Sequence, residues 1–137
     1  MYEVDLNYWA ILVAGVAAYF IGMIWYMTLS KPWMKAAGFE GKTKEQMKEM
    51  SSPWSYVGSF LVGLVMAYIL AHVLAFMSVE TLADGLVAAF WMWLGFVATT
   101  SLKSLFWEKR SFNLWAINNG DHLLGLLAMA AILTLWT

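Results

Sequence analysis

The stretch that decides the fold is Ala116-Ile-Asn-Asn-Gly-Asp-His-Leu-Leu-Gly125, which sets polar residues and a glycine inside the last apolar run of the chain. Without this stretch, the last apolar run is reduced to Leu123–Trp136. That run is too short to cross a bilayer, because a spanning helix needs about 20 residues. The stretch must therefore lie inside a membrane-spanning helix, or the helix must break there. An ionised Asp at the centre costs roughly 2.5–3.5 kcal/mol, and each leucine recovers about 0.5 kcal/mol, so we expect insertion.

The composition of the whole chain also predicts a membrane protein. Of its 137 residues, 62% are hydrophobic and 12% are charged, whereas soluble domains carry about 25% charged residues. Too few polar groups remain to cover a water-facing surface, so we expect one domain, residues 1–137, in the bilayer. Because the chain has no cysteine, disulfides, thiolate catalysis and Cys-ligated metals are excluded.

Four apolar runs are long enough to cross a bilayer, at about residues 6–29, 54–77, 82–107 and 112–136. They are continuous rather than alternating, and open sheet edges are not stable in lipid. The predicted fold class is therefore an all-α integral membrane protein with four transmembrane helices. A match between Gly58–Val65 and Gly120–Leu127 raises the alternative of two duplicated helical hairpins.

All eight basic residues fall on one side of this topology. They lie in the first loop, residues 30–53, or flank the third, and the other side carries acidic residues alone. The positive-inside rule then leaves both termini outside the cytoplasm. Within the first loop, Thr43-Lys-Glu-Gln46 is typical of a capping box and predicts a short helix through Met50.

Small residues recur at four-residue steps along the first two spans. Since close backbone approach holds helices together in lipid, these stripes predict tight pairing of spans one and two, or pairing across a homodimer. Gly120 and Gly125 are expected to allow close approach on the fourth span. The predicted packing residues are Ala10, Ala14, Ala18, Gly22, Ser59, Gly63, Ala67, Ala71, Ala75, Gly120 and Gly125.

The opening stretch supplies the candidate site. Asp121 lies about 13 Å along the fourth span, where hydroxyl and amine groups of the third span are expected nearby. Intramembrane ionisable residues suggest function, in this case proton, cation or headgroup handling. The alternative is an interhelical hydrogen-bond clamp, and the residues leave both interpretations open. The candidate cluster is Asn118, Asn119, Asp121, His122, Thr99, Thr100 and Lys103.

No cofactor, metal site or catalytic set is predicted, and no nucleic-acid partner. The two histidines, His72 and His122, lie about 15–20 Å apart along the membrane normal, which is too far to share one haem or metal. No Gly-rich phosphate loop, nucleophile elbow or metal-spaced His/Glu set is present in the sequence.

Several motifs resemble the bacterial membrane family described as domain of unknown function 1761. They are Gly22–Trp33, Trp93-Leu-Gly-Phe96, Phe106–Arg110 and Ala116-Ile-Asn-Asn-Gly120. The resemblance implies a small four-helix protein of the bacterial inner membrane and implies no activity. It also implies that an aromatic residue often stands where this chain has Asp121. Asp121 is therefore not expected to be a catalytic residue throughout the family.

Three functions stay open at this stage. The first is a non-enzymatic homo-oligomer or an accessory subunit, whose partners are the lipid bilayer and either itself or another membrane protein. The second is a small proton- or cation-coupled transporter or channel that uses Asp121. The third is a lipid or quinone binder, with Trp25, Trp91, Trp93 and His122 lining its pocket.

Overall fold

The computed structural model describes residues 6–38, Gln46 and residues 53–136. These residues form five helices and no strand. The helices are α1 (Tyr8–Thr28), α2 (Ser30–Ala37), α3 (Pro53–Phe76), α4 (Leu82–Trp107) and α5 (Phe112–Leu135).

Four of these helices, α1, α3, α4 and α5, are long and apolar enough to cross a membrane. The predicted fold class, an all-α membrane protein with four spans, is thereby confirmed. The helix bounds lie close to the ranges expected from the sequence. The predicted capping box at Thr43–Gln46 and the helix through Met50 lie outside the described residues, apart from Gln46 itself.

Three of the spans begin with a side-chain cap. Asn7 accepts a hydrogen bond from the backbone N–H of Ala10, and Thr81 and Ser111 do the same for Asp84 and Leu114. These caps satisfy backbone donors that have no partner within the first turn of a helix. The sequence thus fixes where α1, α4 and α5 start.

Helix α2 was not predicted from the sequence. It follows α1 after a single residue, Leu29. The break has a physical cause in Pro32, which lacks the N–H that would bond to the carbonyl of Thr28 and whose ring crowds that carbonyl. The helix ends at Gly38, whose φ of 85° is left-handed and suits glycine. The chain therefore turns out of the span and runs across the beginning of α5, which α2 contacts.

The spans lie in the spatial order α3, α1, α5, α4. Helix α1 packs against α3 on one side and α5 on the other, and α5 packs against α4. Although α3 and α4 are joined by a short turn, they scarcely touch. We call the end where α1 and α4 finish the basic end, since the lysines adjoin it, and the opposite end, where α1 begins, the terminal end.

The largest cluster of buried hydrophobic side chains lies in the terminal half of the bundle. All four spans contribute small and aliphatic side chains to it, with no member from the basic halves of α1 and α3. Its members are Ile11, Ala14, Ala67, Leu70, Ala71, Leu74, Ala88, Ala89, Leu126, Met129 and Ala130. Toward the basic end, Ala98 of α4 and Leu114 of α5 are also buried, whereas every residue of α3 from Pro53 to Val57 is exposed. The beginning of α3 is therefore the least covered part of the four spans.

Small residues set the spacing on both sides of α1. A Cβ on Gly15 would lie 2.7 Å from a methyl carbon of Leu64, and one on Gly63 would lie 3.6 Å from the Gly15 carbonyl oxygen, so α1 and α3 approach closely there. A Cβ on Gly125 would lie 3.7 Å from the Cβ of Ala18, so α1 and α5 also approach closely.

The small-residue stripe of α1 is thus shared between two neighbours. Ala10 and Ala14 are buried, as are Ala67 and Ala71 on α3, whereas Ser59 and Ala75 are exposed. Ala18 and Gly22 face α5 rather than α3, the partner that the sequence predicted, because α1 is central. Gly63 and Gly125, which the internal match aligns, both face α1, so they do not occupy equivalent places in the two hairpins.

Candidate functional site

The basic half of α5 is bound to α1 by polar side chains. The Tyr26 hydroxyl donates to Oδ1 of Asn118 at 2.9 Å, and Nε1 of Trp25 donates to the carbonyl oxygen of Ile117 at 2.7 Å. The indole of Trp25 lies across Gly120, where an added Cβ would come within 2.7 Å of its ring. Gly120 is therefore the residue that lets Trp25 reach the α5 backbone.

Asn119, the residue after Asn118, connects α5 to α4. Its side chain is buried, with 2% of the residue exposed. Its Oδ1 accepts from the Ser101 hydroxyl at 2.7 Å, its Nδ2 donates to the carbonyl of Trp115 at 2.9 Å, and its own carbonyl accepts from Nε1 of Trp93 at 2.9 Å. Because each polar atom of Asn119 has a partner, burial in hydrocarbon does not leave it unsatisfied.

Helix α4 carries a π-helical segment, Trp93–Ala98, opposite this asparagine. Its wider turn leaves the carbonyl of Ala98 to accept from Nε1 of Trp115 at 3.3 Å and from Ser101. Single π turns are rare and often lie at functional sites. The segment explains why Trp93 and Ser101 both reach α5.

Asp121 is half-buried and lies directly opposite a glycine of α1. A Cβ on Gly22 would lie 3.3 Å from Oδ1 of Asp121. Within residues 6–38 and 53–136, its carboxylate has no hydrogen-bond partner. Among the described residues, Asp121 and the exposed His122 are thus the side chains of the polar stretch that form no interhelical hydrogen bond.

His122 lies at an exposed position of α5. One and two turns further along the same face of α5, Leu126 and Met129 are buried against the core. On α3, nothing lies within 4 Å of a Cβ on Gly58. We call the group formed by Gly22, Tyr26, Asn118, Asp121 and His122 the polar patch.

The predicted cluster is therefore only partly assembled. Asn118, Asp121 and His122 belong to the polar patch, and Asn119 points the other way, into the α4 interface. Thr99, Thr100 and Lys103 are exposed on α4 and are not brought to Asp121. The hydroxyl of Thr99 donates instead to the carbonyl of Gly95 in its own helix.

Sequence reasoning missed Tyr26 as a member of this region, although Tyr26 continues the four-residue steps of Ala14, Ala18 and Gly22. The hydroxyl of Ser101 is expected from the sequence to bond within the third span or across to the fourth. It does both, since it donates to the carbonyl of Val97 at 2.6 Å and to Oδ1 of Asn119 at 2.7 Å. His72 lies in the terminal half of α3, where its ring meets that of Tyr68 edge to face at 4.6 Å.

The residues predicted to line a lipid or quinone pocket bond to α5 or are exposed. Trp25 and Trp93 donate their indole N–H groups to backbone carbonyl oxygens of α5. Trp91 is 63% exposed. Two cavities of about 300 and 370 Å³ lie elsewhere, along the terminal half of α1 and α3. None of the four predicted residues lines either of them.

Helix packing and site together define a class: small membrane proteins of four apolar helices whose middle is held by an asparagine-centred polar network. The chain matches the family described as "Protein of unknown function (DUF1761)" over residues 9–134, and it belongs to that family. No curated protein and no solved structure matches it.

Replacement of Gly120 by Val should destabilise the bundle. The new side chain displaces the Trp25 indole and breaks its bond to Ile117, so we expect a loss of about 1–3 kcal/mol in the free energy of unfolding. Denaturant unfolding in detergent, followed by circular dichroism, measures it. Gly95→Val is the matched control, since a Cβ there meets nothing within 4 Å. Equal stability of the two variants would contradict the proposed role of Gly120.

Proposed function

We propose that this protein is a non-enzymatic subunit of a membrane assembly, first of all a homo-oligomer of its own chain. The observation that carries the proposal is the exposed beginning of α3. Within one chain, the main cluster of buried side chains takes members from α1 and α3 only in their terminal halves. Helix α3 continues beyond this cluster with Pro53–Val57 exposed and with nothing within 4 Å of a Cβ on Gly58.

Association in lipid favours this part of α3. Helices in a bilayer associate through close packing and interhelical hydrogen bonds rather than through the hydrophobic effect. Gly58 and Ser59 are small and uncovered, so a second backbone can approach them. Trp54 and Tyr56, which are 80% and 56% exposed, add large rings on either side. An accessory role, with a different membrane protein on the same face, is the alternative occupant.

Replacement of Gly58 by Leu tests this proposal. In nanodiscs, mass measurement should find the wild-type chain as a dimer or larger oligomer. Gly58→Leu should shift it toward the monomer, because the larger side chain prevents close backbone approach. Gly95→Leu, at a glycine of α4 that is equally open, should leave the mass unchanged. If the wild-type protein is a monomer and no other protein co-purifies with it from its native membrane, the subunit role is contradicted.

For location, we propose the bacterial cytoplasmic membrane with both termini outside. The support is the distribution of charge: Lys31 and Lys35 on α2 and Lys109 and Arg110 after α4 adjoin the same end of the bundle, while Asp84 adjoins the other. Positive residues are retained on the cytoplasmic side during insertion.

Reporter fusions after Thr137 test this orientation. A phosphatase that folds only outside the cytoplasm should be active there, and a fluorescent protein that folds only inside should be dark. The same reporters placed after Arg110 should give the reverse pattern. Fluorescence from the C-terminal fusion would contradict the topology.

A second candidate function, proton or cation coupling, is favoured by the state of Asp121. A carboxylate near the middle of a span without a partner costs roughly 2.5–3.5 kcal/mol, which a proton or a cation offsets. Tyr26 and Asn118, one turn toward the basic end, extend a polar path from Asp121 in that direction. Polar and ionisable groups at this depth in a span are typical of ion and proton pathways.

Reconstitution into liposomes tests coupling. If Asp121 carries protons, wild-type protein should dissipate an imposed pH gradient, and Asp121→Asn should return the rate to that of protein-free liposomes, because the amide does not titrate. Asp84→Asn, a carboxylate at the other end of the bundle, is the control and should keep the wild-type rate. A pH-sensitive dye inside the liposomes follows the rate. Equal rates for wild type and Asp121→Asn would exclude coupling through this residue.

A further inference from the structure

Helix α2 has two chemically different faces. Lys31 and Lys35, which lie one turn apart, are exposed, whereas Trp33, Met34 and Ala37 are half-buried. Because successive helical residues are rotated by about 100°, the two lysines lie on one side of α2 and the three apolar residues on the other. Such a division, in a short helix that directly follows a membrane span, is typical of a helix that lies in the membrane interface.

The bundle holds α2 through its apolar side. The ring of Trp33 meets that of Tyr26 edge to face at 6.3 Å, and α2 contacts both α1 and α5. Only Leu29 separates α2 from the end of α1, so α2 stays close to that end of the span. Helix α2 is therefore held at the basic end of the bundle with its two lysines turned outward.

Exposed indole rings mark the level of the basic end in the membrane. Trp54 near the start of α3 and Trp107 at the end of α4 are 80% and 85% exposed. Uncovered tryptophans at the ends of membrane spans favour the headgroup level of a bilayer. Since α2 begins at the same end of the bundle, Lys31 and Lys35 lie at the level where lipid headgroups lie.

The positive charge at this end is not balanced by the protein. Among residues 6–38 and 53–136, the acidic side chain at the basic end outside the spans is Glu108, which pairs with Arg110 at 3.0 Å. In the same residues, no carboxylate lies within ion-pair distance of Lys31, Lys35 or Lys109. Residues 39–52 carry equal numbers of lysines and glutamates, so they add no net negative charge. The exposed lysines therefore form a surface that a negatively charged partner complements.

We propose that α2 binds the headgroups of anionic phospholipids, with Lys31 and Lys35 as the contacting cations and Lys109 of the turn between α4 and α5 extending the surface. At the headgroup level these lipids supply the negative charge that the chain does not, and each lysine near an anionic surface strengthens binding by about fivefold. The site goes beyond the subunit role and does not depend on it, because every group named belongs to one chain. It also does not depend on which side of the membrane the basic end faces.

Spin-labelled lipids test the site in a bilayer. The protein is reconstituted in phosphatidylcholine, and electron paramagnetic resonance measures the fraction of labelled lipid whose motion the protein restricts. Phosphatidylglycerol and phosphatidylcholine, labelled at the same acyl-chain position, are compared. The wild type should prefer phosphatidylglycerol by about threefold or more, which is less than two lysines supply at one site because the signal averages over all lipids around the bundle. Lys31→Gln combined with Lys35→Gln should lower this preference by about twofold or more.

Two controls separate charge from other effects of substitution. Lys31→Arg combined with Lys35→Arg keeps both charges and should keep the preference, and Asp84→Asn, at the terminal end, should behave as the wild type does. Both lysines are exposed, so the variants should fold, and circular dichroism checks this.

A second measurement does not depend on any variant. Raising the salt concentration from about 0.1 M to about 1 M shortens the electrostatic screening length from about 10 Å to about 3 Å, so the preference of the wild type should fall. The proposal is overturned if the wild type does not prefer phosphatidylglycerol, if the preference is insensitive to salt, or if the glutamine double variant retains it in full.

Discussion

The antiparallel contact of α1 with α5 is the constraint on which the rest of the structure depends. It runs the full depth of the bundle, from Asn7, whose side chain donates to the carbonyl of Trp136 at 3.4 Å, to Tyr26 and Asn118 at the other end. Between them Ala18 faces Gly125 and Gly22 faces Asp121. Because the first and last spans are locked in this register, α3 and α4 are left to pack on the outside of a central pair.

This central pair accounts for the uneven packing of the bundle. Helix α3 can cover α5 only where small residues let it lie close, and Gly15 and Gly63 provide that approach in the terminal half. Toward the basic end the rings of Tyr19 and Phe60 meet between α1 and α3, and beyond them Pro53–Val57 of α3 are exposed. The side chains at the contact of α1 with α3 thus change from small ones in the terminal half to aromatic ones toward the basic end.

Much of the architecture was predictable from sequence, because apolar length and charge placement act independently of detailed packing. The four spans follow from hydropathy alone, and the polar stretch of α5 was correctly expected to remain helical within its span. The neighbours of each helix were harder to predict. Ala18 and Gly22 belong to one stripe, but nothing in the sequence shows whether α3 or α5 covers it. Thr99, Thr100 and Lys103 were expected beside Asp121 for a similar reason. The sequence predicts how deep these α4 residues lie in the membrane, but it does not predict how α4 is rotated about its axis. The π turn adds a further rotation that residue spacing does not encode, and Pro32 was a visible signal for the end of α1 that was not used.

The π turn at Trp93–Ala98 also bears on how this family can change length. In a regular α-helix each residue advances by about 100°, so an insertion turns every later side chain to a different face. A π turn accommodates one additional residue locally and leaves the flanking helical segments in place. Loss of one residue between Trp93 and Ala98 would restore ordinary α geometry while Ser101 kept its orientation toward Asn119. Relatives one residue shorter at this position are therefore compatible with the same bundle, whereas a deletion after Ser101 would turn the end of α4 away from its neighbours.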